Sequence, residues 1–292
     1  MKTKRVFITG VNGFIGSNLA VHLKSRGFDV NGSSRGEAVK RELADVVSSY
    51  SPLHLNQEFD KTVFKGMDAV VHLAHSFKGR DNVRCNVEGS QKWFGAAKSR
   101  GVKTQVFLTS FSAKSDSGSE YAEIKYELET FFVKEKQPVV RPGLVLGAGG
   151  LFGRMLQMVE KFPLMPVLNG GRQRVPIISI KTLVNVIGRI IEEPQPTIYN
   201  LFQEEMVSLV DMLKEMRRQL HKRCLLLPIP SFLPLVFLKT VELLRIPFPL
   251  HSSSITALKE NQKLKRPSSL PGLKLEDLSL PQIIQDIISG KH

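Results

Sequence analysis

Short apolar runs alternate with stretches of helical period along the first half of the chain. Val6, Phe7 and Ile8 form such a run, and after a glycine-rich stretch Leu19, Ala20 and Leu23 recur at helical spacing. That pattern predicts a strand handing over to a helix that ends near Arg26, with Gly27 as its cap. A second strand is expected over 28–32, a polar helix over 37–47, a weak third strand at 53–55 and a strongly apolar fourth strand over 69–74. A helix over 91–100, a fifth strand at 106–108, a helix through Tyr121 and Lys125 and a strand with its turn over 139–147 continue the alternation. Strands alternating with helices imply an α/β fold, a doubly wound parallel sheet covered on both faces.

The pattern loosens further on. A helix over 151–162, a strand leading up to Ile180, a returning strand at 198–201, a basic amphipathic helix over 208–221 and a short amphipathic helix over 278–288 are expected, the last preceded by strand-like residues 273–275. Residues 1–165, taking back a strand and helix from about 175–203, read as a nucleotide-binding domain. Residues 166–292 read as a smaller, mostly helical substrate-binding cap. The most apolar region, 225–250, is interrupted by prolines and by Lys239, Glu242 and Arg245, so it is too broken to span a bilayer. It is expected to be a cap helix over the substrate cleft, with docking on a membrane or protein partner as the alternative.

The glycine turn sharpens the ligand. Gly10, Gly13 and Gly16 follow the first strand at once, where glycines permit a tight turn and close approach of the backbone to a pyrophosphate on the free N–H groups of a helix start. A dinucleotide is implied. After the second strand comes Ser33-Ser34-Arg35, with no carboxylate for a ribose 2′-hydroxyl. Two hydroxyls and a guanidinium suit a 2′-phosphate, which favours NADP over NAD as cofactor.

Composition narrows the classes. With 292 residues and 42% hydrophobic content the chain can bury a substantial core. Cys85 and Cys224 have no metal-ligand spacing, which argues against a disulfide scaffold or a zinc site, so no metal is expected and a cytoplasmic location fits. Residues 1–5 run straight into a strand and leave no apolar signal segment. The formal net charge of +14 could draw nucleic acid, anionic lipid or phosphorylated substrates. The cations are scattered along helices and not packed in a block, which argues against a nucleic-acid surface.

Tyr121 and Lys125 form a Y-x-x-x-K pair that one helical turn places on the same face. An ammonium beside a phenol stabilises the phenolate, so the pair can relay a proton while hydride moves to or from a nicotinamide.

With Thr9 and the G-x-x-G-x-x-G turn, the N-V-x-G-S element at Asn86 and the Arg141-Pro142-Gly143 strand, this pair resembles the short-chain dehydrogenase/reductase superfamily, in its extended or atypical NAD(P)-dependent epimerase/dehydratase branch. The resemblance implies a Rossmann-type fold and a cofactor held by Gly10, Asn12, Gly13, Phe14, Ile15, Gly16, Ser34 and Arg35, by the strand end Leu73, Ala74 and His75, and by Thr109, Tyr121, Lys125, Pro142 and Leu144. His75 stands where a second alanine is commoner, His72 reads as a packed strand residue, and Asn86 as a brace of the neighbouring strand. Tyr121 would be the acid/base and Lys125 its electrostatic partner.

The family's third catalytic group is a Ser or Thr; here Phe111 takes its place between Ser110 and Ser112, and either hydroxyl or neither serves. Arg174, then Arg172, would meet a substrate diphosphate, pointing to a nucleotide-sugar, and helix-paired homodimers occur in the family. The function expected is an NADP-dependent oxidoreductase or epimerase acting on a hydroxyl or carbonyl. The alternative is a cofactor-bound, non-catalytic structural or assembly protein docked on a membrane complex.

Overall fold

The computed structural model describes residues 3–55, 57–77, 82–229 and 264–290. Two compact units emerge. The first comprises Met1–Ala113, Ile124–Arg141 and Ile180–Tyr199, the second Lys114–Glu123, Pro142–Ser179 and Asn200–His292.

The first unit is organised around a seven-stranded sheet made by β1 (Arg5–Thr9), β2 (Asp29–Ser34), β3 (Val47–Pro52), β4 (Ala69–His72), β5 (Thr104–Leu108), β6 (Val139–Pro142) and β11 (Ile198–Leu201). Their order across the sheet is β11-β6-β5-β4-β1-β2-β3, and the strands run parallel. The chain therefore winds outward from β1 through β2 to β3, returns to β4 on the other side of β1 and continues from there. The crevice of such a sheet lies at the carboxyl ends of β1 and β4, where the winding reverses.

Each element has a local cause. β1 buries Val6, Phe7, Ile8 and Thr9, and α1 (Phe14–Ser25) buries Gly16, Leu19, Ala20 and Leu23 on one stripe. Gly27, at φ +81°, ends α1: the Phe28 N–H donates to Leu23 O at 3.1 Å and the Gly27 N–H to Lys24 O at 3.0 Å, which satisfies the last carbonyls. The α2 helix (Asn82–Ser99) feeds two clusters, one around Trp93, Phe64 and Phe7, the other joining Phe94 to Phe107 and to Phe132 of α3 (Glu120–Lys134). The α5 helix (Ile180–Glu192) packs beside α1, where Arg26 pairs with Glu192 at 2.7 Å.

Several expectations need correction. Residues 37–47 hold only the short 3-10 turn Arg41–Leu43, because this polar stretch buries little beyond Leu43 and an isolated helix without an apolar stripe is marginal. The third strand is Val47–Pro52 and not 53–55; Leu53 and Leu55 are buried in the Phe64 cluster from a loop, so their apolar signal reports burial without a ladder. α2 begins nine residues earlier than expected, at Asn82 and not residue 91. Gly89 is a packing glycine inside the helix, where a Cβ would lie 2.3 Å from Leu55 O. Residues 273–274 form a turn with Lys274 at φ +52°, not a strand.

The second unit, taken by itself, holds β7 (Leu144–Leu146), α4 (Gly150–Lys161), β8 (Leu164–Leu168), β9 (Arg174–Val175), β10 (Ile177–Ser179), β12 (Val207–Ser208), α6 (Leu209–Gln219), β13 (Leu225–Ile229) and α7 (Leu280–Ile288). Its core joins Phe152 and Val159 of α4 to Met212, Leu213 and Met216 of α6 and to Ile283 and Ile284 of α7. Asp277 ties it together by accepting from Ser179 N at 2.7 Å and Ser179 Oγ at 2.5 Å. Residues 225–229, expected as the start of a cap helix, are instead strand β13, paired in parallel with β8. Residues 230–250 of that expectation lie outside the described residues. No described helix is long and apolar enough to cross a membrane.

His72 is packed, as its place in an apolar strand suggested. It is 4% exposed, its Nε2 lies 2.9 Å from Gln105 Oε1, and Gln105 in turn donates Nε2 to Phe94 O at 3.1 Å. Because the Gln105 amide nitrogen faces a carbonyl, its oxygen faces His72, which therefore donates. Burial pushes the imidazole down to about 4. The unfolded chain takes up this proton near pH 6.5 and the folded one does not, so His72 favours folding fully above 6.5 and loses that contribution as pH falls toward about 4. His72→Gln, which can still donate to Gln105, should flatten the fall in folding stability across that window by up to about 1.4 kcal/mol per pH unit, read from denaturant unfolding at each pH. An acid limb of unchanged slope would mean other groups carry it.

Candidate functional site

The glycine turn has the shape that a phosphate-binding backbone needs. Gly10 has φ +77° and its N–H, with that of Val11, donates to Ser33 O at 2.7 and 2.9 Å, tying the turn to the end of β2. A Cβ on Gly16 would lie 2.3 Å from Gly10 O, so the third glycine lets α1 close onto the turn. Gly13 is exposed and caps α1; the helix has no acidic residue in its first turn and carries His22 and Lys24 in its last. An anion at this end meets free N–H groups and no opposing carboxylate, and Phe14 and Ile15, both half-buried, begin the helix there.

Asn12 organises the loop after β2. Its Nδ2 donates to Ser34 Oγ at 2.9 Å and Ala38 O at 3.0 Å, and its Oδ1 accepts from Lys40 N at 3.0 Å. Tyr50 of β3 adds a second tie, its hydroxyl 2.8 Å from Ser34 Oγ and also bonded to Gly36 O. Ser34 is thus held by two neighbours while Arg35 next to it is exposed. Tyr50 escaped the sequence reading because the third strand was expected at 53–55, beyond it.

The end of β4 is clamped twice. Thr9 Oγ1 accepts from Leu73 N at 3.0 Å and Ala74 N at 3.1 Å, and Asn86 pins Ser76 by accepting its N–H at 2.8 Å and donating to its carbonyl at 2.9 Å. Asn86 is the expected brace. A Cβ at Gly10 would stand 3.3 Å from Ala74 Cα, so β1 and β4 meet closely at the crevice. Leu73, Ala74 and His75 are half-buried there. Burial, and next the charge of Lys125, push His75 down to about 3, so its imidazole is neutral.

The boundary between the units falls within α3, and that helix carries Tyr121 one turn before Lys125. Lys125 is 5% exposed, donates Nζ to Leu108 O at 2.9 Å and lies 5.1 Å from the Phe107 ring centroid. Burial pushes its ammonium down to about 8. Thr109, also buried, spends its hydroxyl on Lys125 O at 3.2 Å and so fastens α3 to the end of β5. Tyr121 is half-buried. Phe111 is 4% exposed, while the flanking Ser110 and Ser112 are half-buried with hydroxyls 2.9 Å apart.

The remaining candidates lie in the second unit. Pro142 is buried and Leu144 packs against that unit's core. Gly143 between them admits no Cβ, which would lie 2.4 Å from Pro176 O. Arg172 and Arg174 are both exposed, Arg172 at the end of the 3-10 turn Asn169–Gly171 and Arg174 on β9. No group of three or more potential metal ligands exists among the described residues.

Residues 6–201 match the model of the NAD dependent epimerase/dehydratase family. The chain is similar to the 2-alkyl-3-oxoalkanoate reductase of Shewanella oneidensis, 29% identical over 125 residues, which make up 40% of this chain and only 32% of that protein. It is also similar to the UDP-glucose 4-epimerase of Vibrio cholerae, 22% identical over 261 residues, 78% of this chain and 79% of that one. The solved structure of an NAD dependent NDP-hexosamine 5,6-dehydratase involved in tunicamycin biosynthesis covers 98% of this chain and 97% of its own at a TM-score of 0.75 and 18% identity, a likeness of fold.

Proposed function

The chain belongs to the NAD dependent epimerase/dehydratase family, and from that premise we propose that it is an NADP-dependent oxidoreductase or epimerase acting on a hydroxyl or carbonyl of a nucleotide-sugar. The observation that carries the reading is the buried Lys125, anchored on Leu108 O one helical turn after Tyr121. The glycine turn at the start of α1 would hold the pyrophosphate, and Ser34 with Arg35 the 2′-phosphate. When bound, the nicotinamide supplies the acceptor or donor of hydride.

The chain's own groups handle the proton. Tyr121 gives or takes it at its phenolic oxygen, and the Lys125 ammonium favours the phenolate form that makes the tyrosine a base near neutral pH. Lys125 stays fixed because Leu108 O and Thr109 hold it from the sheet side. Ser110 or Ser112 supplies the hydroxyl that orients the substrate oxygen. The names of the similar UDP-glucose epimerase and NDP-hexosamine dehydratase support a nucleotide-sugar, and that of the similar reductase supports a carbonyl substrate; Arg174 and Arg172 are the cations assigned to the diphosphate.

Titration of the purified chain with NADPH and with NADH, followed by nicotinamide fluorescence, tests the cofactor. NADPH should bind more tightly. Arg35→Ala should weaken NADPH by roughly 10- to 100-fold, the size of a charge-assisted contact, and leave NADH unchanged. Equal affinities in the unaltered protein would return the assignment to NAD.

A further inference from the structure

The two-stranded ladder of β8 and β13 is apolar on both faces. Its register aligns Leu164 with Leu225 and Pro166 with Leu227, so these four share one face, while Met165, Val167 and Leu226 on the other face join the core of the second unit. Among the described residues the outer face is exposed: Leu164 is 46% exposed, Leu225 59% and Leu227 42%, and Phe162 just before β8 is 55% exposed. Parallel ladders ordinarily bury both faces, and a contiguous exposed apolar patch marks a contact surface.

Charge says what covers it. Lys161 immediately precedes Phe162, and Lys222 with Arg223 leads into Leu225; all three cations are exposed, and none forms an ion pair among the described residues. The two strand starts lie side by side, since Leu225 N donates to Pro163 O at 2.7 Å. Cations therefore gather at one end of the apolar face, with Glu160 the acidic residue adjoining Lys161 in the chain. A second copy docking about a twofold axis would use the same patch twice and so oppose these cations with apolar side chains and no negative surface. An anionic bilayer opposes them with negative charge and takes the apolar side chains into its interface.

We propose that the outer face of the β8–β13 ladder, Phe162, Leu164, Leu225 and Leu227 with Lys161, Lys222 and Arg223, docks the protein peripherally on an anionic lipid bilayer. The inference is independent of the catalytic reading.

The test is co-sedimentation of the full chain with vesicles of phosphatidylcholine alone, or of equal parts phosphatidylcholine and phosphatidylglycerol. Binding is expected on the anionic vesicles only, weakening with salt. Two variants at exposed positions, Phe162→Ser/Leu225→Ser/Leu227→Ser and Lys161→Gln/Lys222→Gln/Arg223→Gln, should each reduce it at least about tenfold, a cation near such a surface counting severalfold by itself. Unchanged thermal midpoints would show that both variants are folded. Equal binding to neutral vesicles, binding to neither, or variants that bind like the unaltered chain overturn the proposal. So does a concentration-dependent dimer in sedimentation velocity that the apolar variant abolishes, which would assign the face to a second copy.

Discussion

Tyr121→Phe should lower kcat by about 10³-fold, within the 10²- to 10⁴-fold range of a positioned acid or base, while NADPH affinity stays within about twofold. The substitution removes one oxygen from a half-buried side chain and leaves α3 and its anchors intact. Lys125 remains on Leu108 O and Thr109 on Lys125 O, so the cofactor side of the site is unaltered. Loss of turnover with binding retained separates a proton-transfer role from a binding role. Stopped-flow measurement of NADPH oxidation at saturating substrate, set beside a fluorescence titration, reads both quantities. Activity close to that of the unaltered chain would take Tyr121 out of the mechanism.

Arg141→Met should cost about 3–5 kcal/mol of folding stability, the penalty for leaving a buried charge without its partner. Glu129 on α3 is 4% exposed, and the Arg141 guanidinium meets it with two nitrogens, one of them Nε at 3.1 Å from Oε2. The pair fastens α3 to β6, two helical turns beyond Tyr121. Thermal unfolding should show a lower midpoint for Arg141→Met and a smaller loss for Glu129→Leu/Arg141→Met than the sum of the two single changes, since the double variant buries no lone charge. Strict additivity would mean that the two residues do not act as a pair. Because the same helix carries the proposed acid/base, the single variant should also lower kcat more than it raises KM, by shifting where Tyr121 stands.

Both predictions start from motifs that were plain in the chain and end on contacts that were not. The glycine turn and the Y-x-x-x-K pair could be read directly, because each depends on spacing along one element: glycines a turn apart, side chains four apart on a helix; the Asn86 brace followed from the family resemblance. The alternation of strands and helices was legible for the same reason. Local patterning reports which face of an element is buried, and the parallel order of the sheet follows from crossover connections.

The sequence by itself therefore determined the family and the NAD(P) cofactor class, and it named Tyr121 and Lys125 as the pair proposed to react. Only the tertiary structure decided what surrounds them. Leu108 O became the anchor of Lys125 because β5 ends beneath α3; Tyr50 reached Ser34 because β3 lies beside β2; and Glu129 found Arg141 because α3 packs on β6. Such partners are joined by pairing and packing of elements distant in the chain, which no periodicity encodes. The polar 37–47 stretch failed as a helix because it has no apolar stripe to bury against a neighbour, and tertiary burial outweighs local preference.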